Sequence, residues 1–163
     1  MSASDKNRYE VRADLTDMFV AYAVAVDNRD WDRYESLFAP DALIDYRKAW
    51  GPILPAPEAR KWIETTLTKD RLLACQHLLS NIHFDFASPV VRGHAGYFNA
   101  DVVVVAGETA LRVNGGSYTV EFVEASEGWR MRSLVAELLW SVVTDPSATV
   151  FPFLGAVPPP RSS

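Results

Sequence analysis

Cysteine is nearly absent. Cys75 is the only one in 163 residues, so no intrachain disulfide can form, which fits a reducing compartment. Positive charge is scarce and scattered: 16 Lys and Arg face 21 Asp and Glu, a formal net charge of −5. No basic run or stripe gathers the charge that a phosphate backbone or an anionic membrane surface requires, so neither is an expected partner. Apolar runs fall well short of bilayer length. The opening MSASDKNRYE is polar and lacks the apolar centre of a signal peptide, and the expected location is cytoplasmic. There is no Gly-rich phosphate loop, no Cys/His zinc spacing and no G-x-S-x-G elbow. The three histidines, His77, His83 and His94, show no metal-ligand spacing, and neither metal nor cofactor is expected.

What is abundant is core material. Hydrophobic residues make up 48% of the chain, enough for one domain. A single domain over 1–163 is expected, with a core at about 9–145 and a tail at 146–163. Leu15, Met18, Phe19, Tyr22 and Val26 recur at three- and four-residue steps, which predicts a first helix from about Asp5 to Asn28. Asp30 or Asp32 caps a short second helix through Trp31, Tyr34, Leu37 and Phe38, stopped by Ala39-Pro40-Asp41. Ala42 to Arg47 reads as a short strand and 58–68 as a third helix. Four β-rich stretches follow, Cys75–Phe86, Val90–Ala106, Glu108–Glu124 and Trp129–Val143, separated by turn residues. Helices followed by an antiparallel meander predict an α+β fold. It takes the form of a cone-shaped α+β barrel, its N-terminal helices packed in a curved antiparallel sheet and its open mouth a small-molecule pocket.

Polar residues at inward-facing positions carry the chemical information, because their burial is costly without a partner. On a continuous strand His77, Leu79, Asn81 and His83 share a face, which either meets solvent or lines the pocket. Tyr97, Asn99 and Asp101 share another; an Asp bonded to a His would fix its tautomer and raise its basicity. Tyr22 lies on the first helix's apolar stripe. Asp27, five residues on, is about 140° away, so both reach a cavity only if it wraps the helix end. Its carboxylate opposes the helix dipole there. Strand alternation sends either Asp45 or Tyr46 inward, and Tyr46 inward would offer a hydroxyl to a developing oxyanion.

Several segments resemble the SnoaL-like dehydratases and cyclases of the nuclear transport factor 2-like superfamily, above all their scytalone dehydratase and bile acid 7α-dehydratase branches. One runs from Asp27-Asn28-Arg29-Asp30-Trp31 through Leu37-Phe38-Ala39-Pro40-Asp41-Ala42 to Ile44-Asp45-Tyr46-Arg47. The others are Gln76-His77-Leu78-Leu79-Ser80-Asn81, and Gly115-Gly116-Ser117-Tyr118 with Gly128-Trp129-Arg130-Met131. The likeness spans roughly 9–135. It implies that His77 is the catalytic histidine, Tyr46 a substrate- or water-holding tyrosine, Tyr22 and Asp27 a tyrosine–aspartate pair, and Asp101 the histidine's partner. Val26 stands where a second pocket tyrosine occurs in the scytalone dehydratase branch. No match for a second catalytic histidine is placed; Asp101 or Asn99 is expected to substitute.

The expected activity is that of a cofactor-free dehydratase, a lyase for a cyclic or polycyclic hydroxy-carbonyl compound. His77 takes the proton beside the carbonyl, Asp101 orients it, Tyr22 and Tyr46 hold the enolate oxygen, and Asp27 positions a tyrosine or the leaving water. The alternatives are a polyketide-type cyclase or ketosteroid-type isomerase using the same pocket, and a non-catalytic ligand-binding domain. Asn81, Asn99, Trp50 and Phe153 complete the set as substrate contacts. Phe153 belongs to Val150-Phe151-Pro152-Phe153-Leu154, expected to be a lid over the mouth or a subunit contact. The expected partners are a hydrophobic small molecule and further copies of the chain, as a dimer or trimer.

Overall fold

The apolar stripe of the first segment builds α1, Arg8–Asn28, in the computed structural model of the protein, which describes residues 8–87 and 90–144. Val11, Leu15, Phe19, Tyr22 and Val26 are buried along one side of this helix. Asp30, rather than Asp32, caps α2, Trp31–Ser36, by accepting the Arg33 backbone N–H at 3.0 Å. Asp32 faces outward and pairs with Arg60 at 2.7 Å.

Phe38 does not continue that helix. It opens β1, Phe38–Lys48, where the ladder is irregular between Phe38 and Leu43 around Pro40, a residue with no N–H to donate. A short β2, Ile53–Pro55, leads into α3, Ala56–Thr66, with a proline in its first turn. The long strands are β3, Leu72–Asp85; β4, Val91–Val105; β5, Glu108–Ala125; and β6, Gly128–Val143. Between β4 and β5, Ala106 and Gly107 take φ 51° and 86°, the two positive values that a two-residue hairpin turn needs.

The strands form one sheet in the order β2-β1-β6-β5-β4-β3. The meander of β3 to β6 is antiparallel, as the turn spacing predicts. The wholly antiparallel sheet is corrected at its far side, where β1 joins parallel to β6. The sheet is therefore mixed, six-stranded and not closed into a barrel.

The alternating burial of β4 leaves Ala95, Tyr97, Asn99, Asp101 and Val103 on the buried, concave face. At the narrow end Phe19 meets Phe122 edge-on at 5.5 Å and Phe84 at 6.1 Å between centroids. Tyr97 crosses β5 at Gly116 to donate to the Glu137 carbonyl at 3.2 Å; a Cβ on residue 116 would stand 2.3 Å from its hydroxyl.

β3 is an edge strand, and α1 runs along it. Arg12 donates to the Ile82 carbonyl at 3.2 Å. Arg29, at φ 55° just past the helix, donates to the carbonyls of Leu67, at 3.0 Å, and Leu72. The open side of the sheet thus receives partners from helix side chains. No helix among the described residues is long and apolar enough to cross a membrane.

Candidate active site

Aromatic side chains fill the narrow end, but α1 stops at Asn28, and the wide end holds a cavity of about 480 Å³. That is the size of a small-molecule site. Tyr22 and Val26 of α1, Tyr46 of β1 and Ile63 of α3 form its helical side, with Trp50 at its mouth. The concave sheet supplies His77, Tyr97, Asn99 and Asp101.

The His77 side chain is only 6% exposed and is gripped twice by Asp27. Its backbone N–H donates to Asp27 Oδ2 at 3.0 Å, and its Nδ1 meets Oδ1 at 2.5 Å. The backbone bond is available because β3 is an edge strand and this N–H points away from β4. Burial pushes the Asp27 carboxyl up, but the hydrogen bonds from the His77 ring and backbone outweigh it, so the group lies below the ordinary carboxylate value. An ionised carboxylate only accepts, so Nδ1 carries the hydrogen and Nε2, on the other side of the ring, keeps a lone pair. This is the tautomer of a general base.

The expectation that Asp101 orients His77 is corrected here: Asp27 does. Nor does Asp27 hold a tyrosine or a leaving water; it stands behind His77 and is not among the cavity-lining residues. That resolves the angle between Tyr22 and Asp27. The cavity does not wrap the helix end. Tyr22 faces the cavity while Asp27 reaches sideways to β3.

The same cavity receives a phenol cluster. Tyr46 points inward, and its hydroxyl is 3.1 Å from that of Tyr22 and 3.0 Å from that of Tyr34. Asp45 points outward to Arg47 at 2.8 Å. Burial pushes all three phenols above their ordinary value, so they remain neutral donors. Three hydrogens serve two links. A chain from Tyr34 to Tyr46 to Tyr22 leaves the Tyr22 hydrogen for the cavity. Tyr34 is the member that sequence reasoning left in the core, because its helix gave no polar cue. Trp50 stacks on Tyr46 at 5.4 Å and on Trp62 at 4.8 Å, so Trp50 lines this side of the cavity with Trp62 packed against it. Trp140 instead lies 45% exposed on the outer face against Phe98.

Asp101 is buried, and its Oδ2 accepts from Arg112 Nε at 3.0 Å, Arg112 Nη2 at 2.9 Å and Asn114 Nδ2 at 2.8 Å. Ser141 in turn donates to Asn114 Oδ1 at 2.7 Å. Arg112, Asn114, Ser141 and Cys75 are cavity residues that the sequence reading missed. The signal was present, since Arg112 and Asn114 alternate with Leu111, Val113 and Gly115. Burial pushes the Cys75 thiol up, and the charges of Asp101 and Asp27 add to that, so it is not a thiolate nucleophile. Among the described residues Asp27, Cys75 and His77 gather donor atoms within 4.8 Å and could share a cation. These are the atoms that form the carboxylate–imidazole pair, so the two uses exclude each other.

Asn81 is corrected as a substrate contact. It is exposed at φ 52°, where the ladder to β4 shifts between Ser80 and His83. The bulge reverses the faces, so Ile82 and Phe84 turn inward and Asn81 and His83 outward. His83 and His94 then pair away from the cavity, with rings 5.0 Å apart. Phe153 and the rest of 145–163, including the expected lid, lie outside the described residues.

A family model, the SnoaL-like domain, matches residues 7–135. An uncharacterized protein of Mycobacterium tuberculosis is 29% identical over 121 residues, covering 74% of this chain and 80% of its own. Scytalone dehydratase of Colletotrichum orbiculare is 27% identical over 129 residues, covering 74% of this chain and 69% of its own. Among solved structures, hexachlorocyclohexane dehydrochlorinase LinA-type3 from Novosphingobium barchaimii LL02 superposes with a TM-score of 0.76 at 19% identity, over 89% of this chain and 97% of its own.

Proposed function

The chain belongs to the SnoaL-like domain family, and on that premise we propose that it is a dehydratase acting on a cyclic or polycyclic hydroxy-carbonyl compound. The observation that carries this reading is the Asp27–His77 pair at 2.5 Å, sequestered beside a cavity that also receives the Tyr22–Tyr46 hydroxyls. A carbonyl oxygen against the phenols places its α-hydrogen toward His77. Nε2 takes that proton, and the electron pair becomes an enolate whose oxygen the neutral Tyr22 hydroxyl, backed by Tyr46, holds. The enolate re-forms the carbonyl as the C–O bond at the β-carbon breaks, and the hydroxide leaves with the proton from Nε2 as water. Asp27 balances the imidazolium between the two steps and stays ionised throughout. The carbonyl itself acidifies the abstracted hydrogen, so this sequence runs on side chains alone.

The test uses a β-hydroxytetralone as substrate. Loss of one water, followed by mass spectrometry and by the absorbance of the naphthol that forms, is the expected outcome. His77→Gln should lower kcat by about 10²–10⁴. An unchanged rate in that variant removes the imidazole from the mechanism. A product of unchanged mass would assign the same base and donors to the isomerase or cyclase alternative.

A further inference from the structure

The bulge that turns Asn81 outward also sets two histidines side by side. An uninterrupted ladder, continuing the pairing of His77 with Asn99, would place His83 opposite Gly93. The shift after Ser80 places it opposite His94 instead, and the two ring centroids stand 5.0 Å apart at an interplanar angle of 39°. Neither ring lines the cavity.

Nδ1 of each ring already faces a protein group. His83 Nδ1 is 3.1 Å from the Asn81 carbonyl, which only accepts, so this nitrogen carries the hydrogen. His94 Nδ1 is 3.4 Å from Thr119 Oγ1. On both rings Nε2, the nitrogen farther from the backbone, is the one left for a ligand. A ring N–H donated to a backbone carbonyl is the contact that orients a metal-ligating histidine. Burial, with the charge of His83 adding to it, holds His94 below its ordinary value, which favours the neutral form that ligates.

The spacing fits one bound ion. Zinc–nitrogen bonds of about 2.0–2.1 Å meeting at the tetrahedral angle put the centroids of two coordinating imidazoles about 5 Å apart. The neighbouring row of the same face carries Asp85, Arg92 and Glu121, two carboxylates against one guanidinium, and Arg92 is tied to Glu121 at 2.8 Å. A cation therefore meets no unbalanced positive charge there. We propose that His83 and His94 form a binding site for a divalent transition-metal ion of the zinc or nickel class on the outer face of the sheet. Paired imidazoles suit that class, whereas magnesium and calcium take oxygen ligands. No third His, Cys, Asp or Glu among the described residues closes on the pair, so water fills the remaining positions. The bound ion ties the edge strand β3 to β4 beside the bulge. The site is separate from His77 and stands whether or not the chain is a dehydratase.

Calorimetry near neutral pH with zinc chloride, and with magnesium chloride as the control, tests this. The wild-type protein should bind one Zn²⁺ per chain and give no signal with Mg²⁺. His83→Gln and His94→Gln each leave a single ligand and should weaken zinc binding by at least about tenfold. His83 is exposed and His94 half-buried, so neither change opens the core, and each variant decides by itself if the other does not fold. His77→Gln breaks up the Asp27–Cys75–His77 cluster and should keep the wild-type affinity. Zinc should also raise the thermal midpoint of the wild-type and His77→Gln proteins, but not that of His83→Gln. No zinc binding, an affinity unchanged in either folded outer-face variant, or binding lost in His77→Gln overturns the proposal.

Discussion

Asp27 holds His77 at two points, ring Nδ1 at 2.5 Å and backbone N–H at 3.0 Å, across 50 residues of sequence. The double contact fixes both the tautomer and the position of the imidazole relative to the strand that carries it.

Asp27→Asn should therefore disable catalysis without closing the cavity. The amide keeps an acceptor for the backbone N–H but turns a donor toward Nδ1. The ring hydrogen must then move to Nε2, where the base is needed. A fall in kcat of about 10²–10⁴ is expected on β-hydroxytetralone. Calorimetric affinity for the naphthol product should be unchanged, and a parallel loss of binding would show that Asp27 is merely structural.

The same carboxylate links stability to pH. Its folded value lies below the ordinary one, because the bonds from His77 overcome the effect of burial. A lowered carboxyl favours the folded state above its unfolded value, about pH 4, and that contribution disappears as pH falls through the folded value. The wild-type protein should be more stable to urea than Asp27→Asn above about pH 4, and the two midpoints should converge below it. A gap that stays constant through the acid range would contradict the assignment.

Tyr46→Phe should cost more stability than Tyr22→Phe or Tyr34→Phe. It removes the hydroxyl shared by both neighbours and leaves two buried phenols unpaired, whereas after either other change the two remaining phenols still pair. The expected loss is about 1–3 kcal/mol for each orphaned group, read by chemical denaturation. Similar losses in all three variants would show that the cluster is not centred on Tyr46.

At position 81 the left-handed backbone decides the outcome. Asn81→Gly should change stability by no more than about 0.5 kcal/mol, while Asn81→Val should lose about 1–2 kcal/mol. If valine is as well tolerated as glycine, the bulge is not required for the register that turns His77 inward.

The local parts of this architecture were legible in the sequence. The first helix followed from the spacing of Leu15, Phe19, Tyr22 and Val26, and the long strands from alternation and turn residues. Tyr46 was legible as a choice between two neighbours, settled by Asp45 finding Arg47 at the surface. Non-local pairing was hidden. Nothing in Phe38–Lys48 announces that it will lie parallel to β6, because the connection passes through a helix and four further strands. Asp101 was assigned to His77 through the family resemblance, strand alternation alone having left its direction open. Register gave it Cys75 across one ladder and Arg112 across the other. Asn81 was placed inward by a period of two that the bulge interrupts.

The three α1-side contacts to β3 also bear on how copies of the chain meet. An uncovered outer strand offers a ready template for adding another chain and growing fibrils. Arg12 at Ile82, Asp27 at His77 and Arg29 at Leu72 occupy the groups that such a template would present. The contact that aligns the imidazole therefore also blocks strand addition at that position, and a variant that removes the Asp27 side chain altogether, such as Asp27→Ala, exposes one rung of that template.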